Sequence, residues 1–289
     1  MTMTRRRKLE SQRHSLAEIR NIMNSMKTLA YLETRKLARF LDAQHVVVNS
    51  MEEAAMDFIA FHPQILPETK EIETSAAYIV IGTERGFCGD FNHALLRRLE
   101  SVLEAGPAID PILIVVGRKL HALVKGDARV AALIDGAGVV EEATFLLQRV
   151  LDELLALQNR FGVQTVYCLY HGEEGAMVVR KLLPPFRRLR DKAPDLPHPP
   201  ILNLSPGDFL ISLTYHYLFA TLHEILYASL MAENHQRVAH LEGAVRRLDD
   251  EAADLSRRGN ILRQEEIIEE MEVILLNQGI DHRKDFPAG

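Results

Sequence analysis

At 289 residues, 47% of them hydrophobic and 26% charged, the chain is long enough for about two folded domains and ordinary in composition for a soluble one. Its formal net charge of -6 argues against a general nucleic-acid binder, and no run of about 18 apolar residues offers a bilayer span. Cys88 and Cys168 are the only cysteines, which excludes a disulfide framework and a cysteine-based zinc cluster and fits a reducing, cytoplasmic setting.

The first 60 or so residues contain neither glycine nor proline; Pro63 is the first breaker and Gly82 the first glycine. With Leu16 as heptad position a, the a column reads Leu16, Met23, Ala30, Leu37, Gln44, Met51 and Phe58, and the d column Ile19, Met26, Glu33, Phe40, Val47, Ala54 and Phe61. Only Gln44 and Glu33 break the apolar stripe. A period of 3.5 held this long predicts one coiled-coil helix over residues 1–62.

The middle of the chain has a different pattern. Ala76–Ile81, Pro111–Val116 and Val163–Tyr170 are short, β-branched and bounded by Gly or Pro, as strands covered on both faces are. Helical stretches at about 90–105, 118–126 and 141–161 lie between them. Strands alternating with helices imply right-handed crossovers and a parallel sheet. Residues 75–183 therefore predict a Rossmann-like α/β domain with a mostly parallel sheet, and a proline-rich connection occupies 184–206.

From Pro206 no proline recurs until Pro287. Val238, Leu241, Val245, Leu248, Ala252, Leu255 and Leu262 step by threes and fours, and the stripe resumes with Ile267, Met271, Ile274 and Leu275. This predicts a second long helix over 207–279, with a tail over 280–289. Neither stripe can bury itself alone, so the economical fold packs the two long helices on each other with the α/β domain inserted between them.

The strand-to-helix stretch IGTERGFCGDFN, residues 81–92, sits where α/β proteins place a phosphate loop. It lacks the Lys and Ser or Thr of a Walker loop. Its glycines, Gly82, Gly86 and Gly89, miss the dinucleotide spacing, and Glu84 would repel a pyrophosphate. No paired zinc-ligand motif or nucleophile elbow occurs elsewhere. The chain accordingly predicts no catalytic residue, no cofactor and no metal, and its acidic run Glu265, Glu266, Glu269, Glu270 and Glu272 reads as a solvated face.

Three segments together resemble the gamma subunit of F-type ATP synthases: RRRKLESQRHSLAEIRNIMNSMKTLAYLETRKL, GTERGFCGDFN, and ASLMAENHQRV followed by RGNILRQEEIIEEMEVIL. They keep the family's order. Gly82, Arg85, Gly86, Cys88, Gly89 and Asn92 match its G-x-x-R-G-L-C-G-x-x-N loop, while Asn260, Arg263, Gln264, Ile267 and Glu270 match its N-x-x-R-Q-x-x-I-T-x-E block in part. The resemblance implies that the terminal helices form an antiparallel coiled coil and that the chain is a central-stalk rotor coupling the turning of the membrane c-ring, and ion translocation, to ATP synthesis or hydrolysis at the beta subunits. The residues by themselves leave two other readings, a free-standing nucleotide-binding α/β enzyme and a coiled-coil scaffold unrelated to ATP synthases. It implies alpha, beta, epsilon and the c-ring as partners, with no nucleic acid and no direct membrane insertion. It implies a peripheral place on the cytoplasmic face of the plasma membrane. Met26, Arg263, Gln264 and Glu270 would meet the beta-subunit loops, and Gly82, Arg85, Gly86, Cys88, Gly89 and Asn92 would shape the turn of the α/β domain. Ile268, Val273 and the ending NQGIDHRKDFPAG depart from the family pattern and suggest a divergent branch.

Overall fold

A computed structural model describes residues 2–66, 75–106, 110–192 and 198–281. Most of the expected tail over 280–289, and part of the proline-rich connection, lie outside the described residues. The chain divides into two compact units: Met1–Thr28 with Leu241–Gly289, and Leu29–His240.

The first unit is built from two helices. Helix α1 (Thr2–Phe61) contributes its first part and helix α5 (Pro206–Asp281) its last. Arg20 meets Asp249 and Arg6 meets Glu266, so rising numbers on α1 face falling numbers on α5 and the pair is antiparallel. Leu241, Val245 and Leu255 are buried in the stripe, as a three-four period requires. The resumed stripe behaves otherwise: Ile267, Met271, Ile274 and Leu275 are exposed. These side chains lie beyond Glu266, which is paired with Arg6 in the second turn of α1.

The second unit centres on a five-stranded sheet. Its strands are β1 (Ser75–Ile81), β2 (Asp110–Val116), β3 (Val130–Ile134), β4 (Thr165–His171) and β5 (Met177–Leu183), in the order β3-β2-β1-β4-β5. All neighbours are parallel except β4 and β5. The connecting helices are α2 (Phe91–Ala105), α3 (Arg118–His121) and α4 (Ala143–Phe161). The 118–126 helix ends early at His121, whose ring Nε2 lies 3.2 Å from Val115 O and 3.0 Å from Ile134 O.

Alternation along the strands sends side chains to two cores. Ala76, Tyr78 and Val80 of β1 join Leu95 and Leu99 of α2 on one face. Ala77, Ile79 and Ile81 face the other way, toward Leu147, Val150 and Leu154 of α4, Leu37 and Leu41 of α1, and Leu222, Ile225 and Leu226 of α5. Burying each such Leu or Ile contributes about 1.5–3 kcal/mol. Both long helices are thus part of the sheet's own core.

The buried line of α1 in this unit corrects the heptad. Ala30, Leu37 and Phe58 of the a column are buried, but the second column is Thr34, Leu41, Val48 and Ala55, one residue after the predicted d positions. Phe40 and Val47 are exposed instead. Apolar residues fill two adjacent columns of this helix, and tertiary packing selects between them. The two breakers both have partners: Gln44 Nε2 donates to Ala220 O at 2.9 Å, and Glu33 Oε1 accepts from Val140 N at 2.7 Å.

Candidate functional site

The carboxyl ends of parallel strands are where open α/β sheets ordinarily bind ligands, because the loops there present main-chain amides to a crevice. Here the crevice is closed by the protein's own carboxylates. Loop 82–90 leaves β1 and bends sharply. Gly82 N donates to Val116 O at 2.9 Å and Thr83 O accepts from Lys119 N at 3.0 Å. Asn92 closes the turn from the start of α2, its Oδ1 accepting from Thr83 N at 3.0 Å and its Nδ2 donating to Thr83 Oγ1 at 2.9 Å. A Cβ on Gly82 would stand 2.7 Å from Asn92 Oδ1 and from Leu120 Cβ, so only glycine fits. Gly89 adopts φ +57, a left-handed conformation that glycine takes without strain.

Glu84 is the centre of the arrangement. Its Oε2 accepts from Arg118 N at 3.0 Å and Gly136 N at 2.7 Å, and its Oε1 pairs with Arg118 Nη2 at 2.5 Å. The carboxylate thereby takes the first amide of α3, one loop amide and a guanidinium, the kind of donors that a phosphate would need. Composition alone suggests that Glu84 repels an anion; in the fold it is the anion.

A second buried carboxylate ties the loop to α5. Glu233 Oε2 accepts from Glu84 N and Oε1 from Arg85 N, each at 3.2 Å. Arg237, one turn on, pairs with Glu233, donates to Gly86 O at 3.2 Å through Nε, and donates to Asn234 Oδ1 at 2.6 Å through Nη1. The side chains of this ion pair are only 4% and 5% exposed, and burial pushes the Glu233 carboxyl above its ordinary range against the opposing pull of Arg237 and the two amides. Cys88 is buried beneath the loop with Phe91 and Ala232. Loss of hydration pushes its thiol up to about 12, so it is a packing residue rather than a nucleophile.

The segment after β3 grips α1 in the same manner. Glu33 accepts from Val140 N, Lys36 pairs with Glu141, and Gly138 N donates to Glu142 Oε2 at 2.6 Å. Arg85 lies over Gly138 so closely that an added Cβ would meet its Nη2 at 2.6 Å.

Of the residues singled out in the sequence, Gly82, Arg85, Gly86, Cys88, Gly89 and Asn92 therefore come together in one turn. Met26 is half-buried on α1, and Arg263, Gln264 and Glu270 are exposed on α5, in the other unit. Glu33, Glu84, Glu233 and Arg237 carry the site, and sequence reasoning does not single them out for it. The traces they leave in sequence are a heptad breaker, an acid inside a glycine loop, and a Glu and Arg one helical turn apart.

Among the described residues no group of His, Cys, Asp and Glu could hold a metal ion, and no helix is long and apolar enough to cross a membrane. A free-standing nucleotide-binding enzyme is not favoured, since the crevice amides are already bonded to Glu84.

Comparison with known proteins gives a consistent result. The family model described as ATP synthase matches residues 5–276. The ATP synthase gamma chain of Ruminiclostridium cellulolyticum is 23% identical over 288 residues, covering 93% of this chain and 96% of that one. Among solved structures, a chain of the Euglena gracilis mitochondrial ATP synthase rotor matches with a TM-score of 0.62 at 18% identity, over 91% of this chain and 99% of that one. A chain of the same organism's OSCP/F1/c-ring assembly matches with a TM-score of 0.60 at 17% identity, over 99% and 97%.

Proposed function

The chain belongs to the ATP synthase gamma family, and from that premise we propose how its residues serve as the central-stalk rotor of an F-type ATP synthase. The chain is the subunit that couples turning of the c-ring, and ion translocation, to ATP synthesis or hydrolysis on the beta subunits. Its partners are the alpha and beta subunits, epsilon and the c-ring, and it is a peripheral subunit of the complex. Its seat on the cytoplasmic face of the plasma membrane is part of the proposal.

The observation that carries the reading is the exposed end of α5. Ile267, Ile268, Met271, Val273, Ile274 and Leu275 are between 46% and 66% exposed, and Arg263, Gln264 and Glu270 are exposed beside them. A soluble helix seldom leaves so much apolar surface uncovered unless a partner covers it. In a hexamer of three alpha and three beta subunits, an asymmetric helix pair touches each beta subunit differently. Each catalytic site is then biased to a different nucleotide state, because coupling is a difference in contact energy between conformations. Turning the pair carries every site through the cycle.

On this reading Met26 presses on beta-subunit loops from α1. Arg263 and Gln264 hydrogen-bond to those loops from α5, the guanidinium fork suiting carboxylate or carbonyl oxygens. The test is coexpression with the alpha and beta subunits. Arg263→Ala with Gln264→Ala lowers ATPase activity of the assembly while the isolated chain keeps its helix content and melting temperature. Unchanged turnover and assembly in the double variant overturns the contact assignment, and failure of the unmodified chain to assemble overturns the function.

A further inference from the structure

Three carboxylates form a continuous path across the carboxyl edge of the sheet. On α5, Glu233 holds the main-chain amides of Glu84 and Arg85. Glu84 reaches on to the amides of Arg118 and Gly136. On α1, Glu33 holds Val140 N, four residues beyond Gly136. The path thus runs from α5 through loop 82–90 and the segment after β3 to α1, and it lies wholly within the second unit.

Every one of these links is a charge-assisted bond to main chain. Such bonds hold the backbone of one element by the carboxylate of another, and the charge strengthens them; they measure 2.7 Å at Gly136 and Val140, 3.0 Å at Arg118 and 3.2 Å at Glu84 and Arg85. The Glu233–Arg237 pair cannot open without stranding a buried charge. Surface ion pairs such as Arg257 with Asp254 yield at little cost. A force applied to the α/β domain is therefore passed to the helices instead of being lost in local opening.

We propose that this path is the joint through which torque passes between the α/β domain and the two long helices, with Glu33, Glu84 and Glu233 as positioning residues. The proposal rests on the central-stalk reading above.

The test compares two readouts on Glu33→Ala and Glu233→Ala, which remove the acceptor. Hydrolysis by the alpha-beta-gamma assembly needs the helices to turn but carries no load through the α/β domain. Ion pumping by the complete complex in sealed vesicles needs both. The joint predicts hydrolysis within about twofold of the unmodified assembly and ions pumped per ATP lower by about tenfold, an ordinary size for coupling between sites. Pumping per ATP that stays unchanged in both variants overturns the joint. So does a proportional fall of hydrolysis and pumping in Glu33→Ala, which marks a general loss of structure. Glu33 is only half-buried, so its variant decides the matter even where Glu233→Ala fails to assemble. If the unmodified chain forms no ATP-hydrolysing assembly, the central-stalk reading falls and the joint falls with it; if it couples normally and the variants couple equally well, the joint alone falls.

Discussion

Glu33 Oε1 lies 2.7 Å from Val140 N, so the one acid in the d column of α1 is the acceptor that the first turn of the 3₁₀ segment Val140–Glu142 requires. A helix-start amide without a partner costs about 1–3 kcal/mol when desolvated. Glu33→Leu would complete the heptad's apolar stripe. The expected outcome is nonetheless a loss of about 1–2 kcal/mol of stability measured by urea unfolding, with Glu33→Gln losing less because its amide oxygen can still accept.

Glu84→Ala leaves the amides of Arg118 and Gly136 without their acceptor and should cost about 2–4 kcal/mol, read as a lower thermal midpoint. The unmodified chain should give no calorimetric signal with ATP or pyrophosphate, because the carboxylate already holds the donors. Tight nucleotide binding by the unmodified chain would mean that the crevice is open after all.

The thiol of Cys88 is pushed up to about 12, and burial pushes that of Cys168 further in the same direction. Near pH 8 neither presents thiolate. Both should resist iodoacetamide in the folded chain and react fully in denaturant, where the ordinary thiol value of about 8.5 returns. Mass spectrometry of the alkylated peptides checks this residue by residue.

His223 is buried, with the rings of Phe219 and Tyr227 beside it. Burial lowers its pKa, and a bond to Phe219 O opposes the shift only partly. The fold thus favours neutral imidazole, while the unfolded chain takes a proton near the ordinary value of about 6.5. Stability from this group is fully present above that value and is lost as pH falls through the lowered folded value. His223→Gln should flatten the fall in melting temperature between neutral and mildly acidic pH, and an unchanged slope would show that other groups dominate it.

Much of the fold is legible in the sequence. The runs that form β1, β2 and β4 are apolar on both faces and bounded by breakers, which only a central strand explains. Strands β3 and β5 are not legible: VAALI is short and alanine-rich, and MVVRKLL carries Arg180 and Lys181 on a half-buried edge. The choice between the columns of Phe40 and Leu41 needs the sheet, since local periodicity supports both. Glu33 and Gln44 are visible as anomalies, but their partners, Val140 and Ala220, lie more than a hundred residues away. Glu84 is visible too, and so is the consequence of its charge; the amides it bonds to lie at the start of α3 and after β3, beyond the reach of local sequence.

The uncovered apolar end of α5 also bears on how the cell must make this protein. A chain released from the ribosome with Ile267, Met271, Ile274 and Leu275 open to water can adhere to its own copies as readily as to a rightful partner. Its supply must then be matched to that of the subunits that sheathe it, and overproduced alone it should accumulate as inclusion bodies that joint synthesis prevents.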